Sequence, residues 1–194
     1  MLGFVPVILM ACSTPRWLKQ VYIPAGADTS VVYQLPFCSH KAYIVAQGYW
    51  GNFSHQKTYA LDLKMRRGEP VCAARSGVVL AAASHFAEKK GRKKDFIEQA
   101  NYIDILHSDG TVASYWHLQQ NGVLVKPGDS VNTGQHIAYS GNTGFSTMPH
   151  LHFEVYKRDN NGYHSIPTRF QIKKGATYLR WGKIYRNQYL VNSP

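Results

Sequence analysis

The sequence contains no run of about 18 apolar residues, which excludes a conventional transmembrane helix. No self-similarity appears at a period of about 20–50 residues, so solenoids and propellers are excluded too. Charged residues make up only 17%, and helical periodicity is poor throughout, which removes coiled coils and charge-rich disordered chains. Acidic side chains are scarce. Eleven Asp and Glu stand against 22 Lys and Arg, for a formal charge of +11. Such an imbalance suits an anionic partner: nucleic acid, anionic lipid or acidic cell-wall polymer. Charge alone does not choose among them. Cysteine is limited to three residues, none in a CxxC or a Cys/His cluster, so none is read as a metal ligand. Apolar residues reach 44% and aromatics 13% of 194 residues, enough to bury one sizeable core without staples.

Met1–Cys12 reads MLGFVPVILMAC, which resembles the apolar part of a secretory signal without its charged start. Leu9-Met10-Ala11-Cys12 has the form of a lipobox, in which Cys12 would carry lipid and anchor the chain to a membrane. An ordinary cleaved signal and a start without targeting meaning are the alternatives. With Cys12 set aside, Cys38 and Cys72 are left, either as one disulfide of an exported protein or as two buried thiols.

From Val31 the chain turns to short runs rich in Val, Ile, Tyr and Phe: VVYQL, KAYIVAQ, TYALDL, GVVLAAA, NYIDILH, TVASYWHL and LHFEVY. Turn signals separate them, among them Gly51-Asn52, Ser108-Asp109-Gly110, Pro127-Gly128-Asp129 and Gly141-Asn142-Thr143-Gly144. The best helix candidate, Phe96–Ala100, is very short. Strands with frequent turns indicate an all-β or mostly β sandwich or barrel. The basic run EKKGRKK (88–94) reads as a solvated loop. Beyond a hairpin at Arg158–Gly162, the basic, aromatic segment after residue 170 is open between strand and mobile extension.

The chemistry concentrates in a few side chains. In PHLHFEV, His150 and His152 fall at i and i+2 and so share a strand face, with Leu151 and Phe153 on the other. Two adjacent imidazoles are a poor structural choice unless one binds metal and the other moves protons. In SYWHL, alternation puts Tyr115 and His117 on one face and Trp116 on the opposite one. Asp62 lies in the apolar stretch YALDL, where a buried carboxylate needs a hydrogen bond or a cation. His55 precedes it in a loop that can fold back. Two His and one Asp leave a fourth tetrahedral position open, as catalytic zinc requires. Zinc there would lower the pKa of a bound water toward about 7, and two spare imidazoles would serve proton transfer and oxyanion stabilisation. That chemistry is amide hydrolysis.

SHQKTYALDL, SYWHL and GDSVNTGQHIAYSGNTGFSTMPHLHFEV, in this order, resemble the M23 (lysostaphin- or LytM-like) zinc metallopeptidases over roughly residues 47–157. The resemblance implies His55, Asp62 and His152 as ligands of one Zn2+, and His117 and His150 as catalytic residues. The common first motif spaces its His and Asp more closely; six residues intervene here, as in a variant branch. His85, His107, His136 and His164 match no motif position. The implied fold is a mostly antiparallel, barrel-like sheet with a groove and few or no helices. The Gly141–Gly144 turn would shape one wall, and Tyr115, Tyr139 and Asn142 would meet substrate. The implied organisation is a leader (1–12), a polar linker (13–30), a peptidase domain (31–170) and a basic extension (171–194). The implied activity is cleavage of peptide cross-links or bridges in peptidoglycan, by a monomer in the cell envelope, with no nucleic-acid partner. A catalytically inactive relative that binds the wall or activates an amidase is the alternative. A lipoyl-type carrier shares the rhythm of VKPGDSVNTGQHIAYSG but lacks the lysine-bearing tip.

Overall fold

The computed structural model describes residues 23, 24, 27, 30–88, 94–160 and 162–188. The lipobox with Cys12, most of the 13–30 linker and residues 89–93 of the basic run lie outside the described residues. Fourteen strands are described. The first seven are β1 (Val32–Tyr33), β2 (Ala42–Gln47), β3 (Ala60–Leu63), β4 (Pro70–Cys72), β5 (Gly77–Ala83), β6 (Asn101–Leu106) and β7 (Val112–Val123). The rest are β8 (Ser130–Val131), β9 (His136–Ser140), β10 (Leu151–Asp159), β11 (Gly162–Ser165), β12 (Arg169–Ile172), β13 (Gly175–Tyr178) and β14 (Ile184–Arg186). A 3-10 helix at Lys94–Gln99 takes the place of the helix candidate at 96–100.

Eleven strands form one sheet, whose main path runs β14-β2-β3-β10-β7-β6-β5-β8 with antiparallel neighbours. The path runs from edge to edge and does not close into a barrel among the described residues. A second sheet joins β1, β12 and β13, with β1 parallel to β12. Residues 171–188 of the basic C-terminal segment are therefore woven into the molecule. Phe170 and Leu179 are buried in the core, and β14 adds an edge strand to β2.

Strict alternation explains why the central strands lie where they do. On β10, Leu151, Phe153 and Val155 enter the core, with Phe153 edge-on to Tyr115 at 5.1 Å. On β3, Leu61 and Leu63 do the same. Each such side chain contributes about 1.5–3 kcal/mol by burial, and a one-residue slip would turn all of them outward. The pairing is thereby locked with His152 directly opposite Asp62 on one side and Trp116 on the other. Cross-strand partners stand about 5 Å apart, close enough for two polar side chains to share one ion.

β7 departs from alternation at His117. Its backbone is left-handed (φ 64°), and the β6–β7 register shifts between the Tyr102–Trp116 and Asn101–Leu118 pairs. The extra residue is a bulge that re-aims the imidazole. Tyr115 and His117 do not share a face, which corrects the alternation argued from the sequence. Trp116 and His117 both reach the cleft, while Tyr115 is fully buried. Cys38 and Cys72 are joined in a disulfide, with a Cα–Cα distance of 5.5 Å.

Candidate metal centre

β3, β10 and the loop before β3 deliver three ligand atoms to one point. His55 Nε2 lies 3.1 Å from Asp62 Oδ1 and 3.3 Å from His152 Nδ1, and His152 Nδ1 lies 3.0 Å from Asp62 Oδ1. His55 and Asp62 are far enough apart in sequence for the loop to fold back. The Nδ1–H of His55 donates to the Gly48 carbonyl at 3.0 Å, so its Nε2 presents a lone pair. Two imidazole nitrogens then face each other across a carboxylate oxygen. Only a cation between them satisfies that arrangement: a proton, or a metal ion. Burial alone would lower the pKa of His152, but Asp62 and Glu154 hold it up at about 9. Burial would raise that of Asp62, yet the hydrogen bond from His152 and the positive charge that the neighbouring imidazoles can carry hold it well below the usual carboxylate range. The pocket is electrostatically prepared for positive charge. Two neutral nitrogens and one carboxylate, with one side open to a cleft, are a donor set that fits zinc. Glu154 Oε2 stands 3.7 Å from the other nitrogen of His152, where a carboxylate orients a ligating imidazole.

His117 and His150 sit beside this centre with ring centroids 4.6 Å apart. Each is oriented by a backbone carbonyl: His117 Nδ1–H donates to Thr143 at 2.7 Å and His150 Nδ1–H to Met148 at 2.8 Å. Both Nε2 atoms are left unprotonated, and that of His150 lies 3.5 Å from Asp62 Oδ1. Burial and the nearby imidazoles push the pKa of His117 down to about 3, and burial lowers that of His150. Both rings are neutral bases at physiological pH.

The centre opens into a cleft of about 560 Å³ walled by Phe53, Trp116, Phe145 and Met148. The sequence reading did not single out these four; their types alone do not distinguish wall from core. The three proposed substrate contacts fare differently. Tyr115 is a core residue whose hydroxyl accepts the Ala74 N–H at 2.8 Å, so it cannot meet substrate there. Tyr139 packs edge-on against His136 at 4.7 Å, away from the residues that wall the cleft. Asn142 is buried one layer back, and its Oδ1 accepts the hydroxyl of Ser146 at 2.8 Å. Ser146 in turn lies 3.2 Å from His150 Nδ1, so Asn142 supports the histidine indirectly. The Gly141–Gly144 turn does help frame the site, because it carries the Thr143 carbonyl that holds His117.

The sequence pattern described as peptidase family M23 matches residues 56–165, more than half of the chain. The chain belongs to peptidase family M23. It is 31% identical over 144 residues to a glycyl-glycine endopeptidase, ALE-1, of Staphylococcus capitis, covering 67% of this chain and 37% of that protein. It is 38% identical over 98 residues to the peptidoglycan DD-endopeptidase ShyA of Vibrio cholerae, covering 50% of this chain and 20% of that one. The M23 chain thus spans well under half the length of these relatives. Among solved structures, one chain of the SpoIIQ–SpoIIIAH pore-forming complex superposes with a TM-score of 0.50 at 21% identity, over 69% of this chain and 87% of that one, a likeness of fold. The fold and the M23 membership agree with the reading from the sequence.

Proposed function

We propose that this chain is a zinc-dependent endopeptidase that hydrolyses peptide cross-links or bridges of bacterial peptidoglycan outside the cytoplasm. The observation that carries the reading is the convergence of His55 Nε2, Asp62 Oδ1 and His152 Nδ1 at the floor of a cleft that also holds two neutral imidazoles. Zinc, when bound by those three residues, supplies Lewis acidity toward water and a peptide carbonyl. The chain's own groups do the rest. His150 and His117 present unprotonated Nε2 atoms, suited to accept a proton from the attacking water and return it to the leaving amine. Their Nδ1 protons are held by Met148 and Thr143, so neither ring can rotate away without losing a buried hydrogen bond. Phe53, Trp116, Phe145 and Met148 offer apolar walls against which an extended peptide can lie.

A relative named as a peptidoglycan DD-endopeptidase and another named as a glycyl-glycine endopeptidase support this substrate class, and the +11 charge suits an anionic envelope polymer. All five proposed functional side chains come from one chain, so the site needs no residue from a second copy. Anchoring through a lipidated Cys12 rests on the sequence alone. All five positions keep their residues, which favours the active reading over an inactive, wall-binding role. The test is digestion of purified peptidoglycan followed by mass spectrometry. Release of fragments with new peptide amines supports the proposal; an unaltered fragment pattern with zinc-loaded protein refutes it.

A further inference from the structure

The polypeptide that supplies Asp62 keeps its alternation beyond β3. Leu63 and Met65 enter the core, and Lys64 and Arg66 emerge between them, both exposed, on the side of Asp62. The Lys64 N–H still donates to the Ile44 carbonyl at 3.0 Å, so the backbone stays extended. At about 3.3 Å per residue, the two cations stand roughly 7 and 13 Å along the chain from the ligand carboxylate. They line a second cavity of about 570 Å³ together with Lys41, Tyr43 and Glu69, and Met148 walls both this cavity and the catalytic cleft.

Charge in this cavity is unbalanced. Glu69 is buried, and its two oxygens accept from Lys41 Nζ at 2.8 Å and from the Tyr43 hydroxyl. Burial would raise its pKa, but Lys41 and Tyr43, with the nearby charge of Arg66, hold it below the usual value, so it is ionised. Lys41 and Glu69 thereby neutralise each other. Lys64 and Arg66 form no ion pair among the described residues, which leaves two cations facing a cavity next to the cleft.

We propose that this cavity is a carboxylate subsite of the peptidase cleft, in which Lys64 and Arg66 receive a free carboxylate carried two to four residues from the scissile bond. The inference rests on the endopeptidase reading and deepens it. An extended peptide advances at about the same rise per residue as the strand beside which it lies. A carboxylate at that distance from a peptide bond held over Asp62 therefore falls between Lys64 and Arg66. Stem peptides of peptidoglycan carry free carboxylates on their acidic, diamino-acid and terminal residues. A glycine bridge carries none along its length. The subsite accordingly selects acidic stem cross-links over neutral bridges.

The test uses two synthetic cross-linked stem peptides that differ only in whether their carboxylates are free or amidated. The full zinc-loaded chain should favour the free acid roughly tenfold in kcat/KM, the scale of two solvent-accessible charge pairs, mainly through KM. Lys64→Gln/Arg66→Gln should lose that preference and cut the amidated peptide at the parent rate. Equal rates on both peptides by the parent chain, or a preference kept by the double variant, overturn the subsite. If the parent chain cuts neither peptide, the endopeptidase reading is what fails. Calorimetric binding of the same pair then decides the subsite: a preference for the free acid lost in the double variant supports it, and equal affinities overturn it. Polyglycerol phosphate is measured alongside. Binding to it that depends on Lys64 and Arg66, without any peptide preference, would overturn the assignment in favour of a phosphate polymer.

Discussion

Gly141 couples the fold to the position of His117, the proposed catalytic base. Its N–H donates to the carbonyl of His117 at 3.0 Å. A Cβ built there would lie 2.5 Å from Gln119 N, 2.6 Å from Gln119 Cα and 2.7 Å from the Leu118 carbonyl carbon. Ordinary carbon contacts begin near 3.5 Å, so Gly141→Ala demands that one backbone move by about 1 Å. All three obstructing atoms are main chain in the two residues after His117, and no flexible side chain can yield in their place. Overpacking of this kind costs about 1–3 kcal/mol, which a domain of this size survives. The displacement is transmitted to the His117 imidazole, whose position already depends on a left-handed backbone. A misplacement of about 1 Å in a reacting group can lower turnover about a hundredfold. His55, Asp62 and His152 come from β3, β10 and the preceding loop, so zinc binding should survive. The assay pairs turnover of peptidoglycan with zinc content and thermal unfolding of Gly141→Ala. A folded, zinc-replete variant with the parent rate would refute the claim that this close approach fixes His117.

Three further outcomes are expected. His150→Ala should keep zinc, measured by mass spectrometry of the metal, and lose at least about a hundredfold in turnover, because His150 is read as an acid–base group and not a ligand; full activity would contradict that role. Reducing the Cys38–Cys72 bond, which closes a loop of 34 residues, should cost about 4 kcal/mol and lower the melting temperature by roughly 10 °C in a scan with and without reductant; an unchanged Tm would show that the bond does not constrain the unfolded chain. His107 is buried with its Nδ1–H on the Ser76 carbonyl, and burial lowers its pKa from 6.5. The unfolded chain therefore binds a proton on it before the folded one does, and stability falls as pH drops below about 6.5, by at most about 1.4 kcal/mol per pH unit. Urea midpoints at pH 7.5 and 5.5 should separate less in His107→Asn than in the parent chain, and equal separations would contradict the assignment.

The central strands were legible in the sequence because alternation and β-branched or aromatic runs mark them, as in LHFEVY and TYALDL. The six strands not read from it (β4, β8, β9 and β12–β14) have two to five residues each, and β11 was foreseen only as the return of the hairpin at 158–162. Strands so short owe their existence to neighbours and carry no period of their own. The five candidate metal and catalytic residues were found through motif order and residue chemistry. The orientation of His117 was not, since a single left-handed residue breaks the rule that assigned it a face with Tyr115. The backbone carbonyls of Gly48, Thr143 and Met148 that orient His55, His117 and His150 were equally invisible, because a carbonyl has no residue signature. Lys64 and Arg66 look like ordinary surface cations until their position in line with Asp62 is seen.

The most direct test of the account is the zinc content of the purified chain beside that of Asp62→Ala. Asp62 Oδ1 lies within hydrogen-bonding distance of both His55 Nε2 and His152 Nδ1. One zinc per parent chain, and almost none in a folded Asp62→Ala variant, is the predicted result. Equal zinc in the two proteins, or none in either after reconstitution, would contradict the metal centre on which the proposed hydrolysis depends.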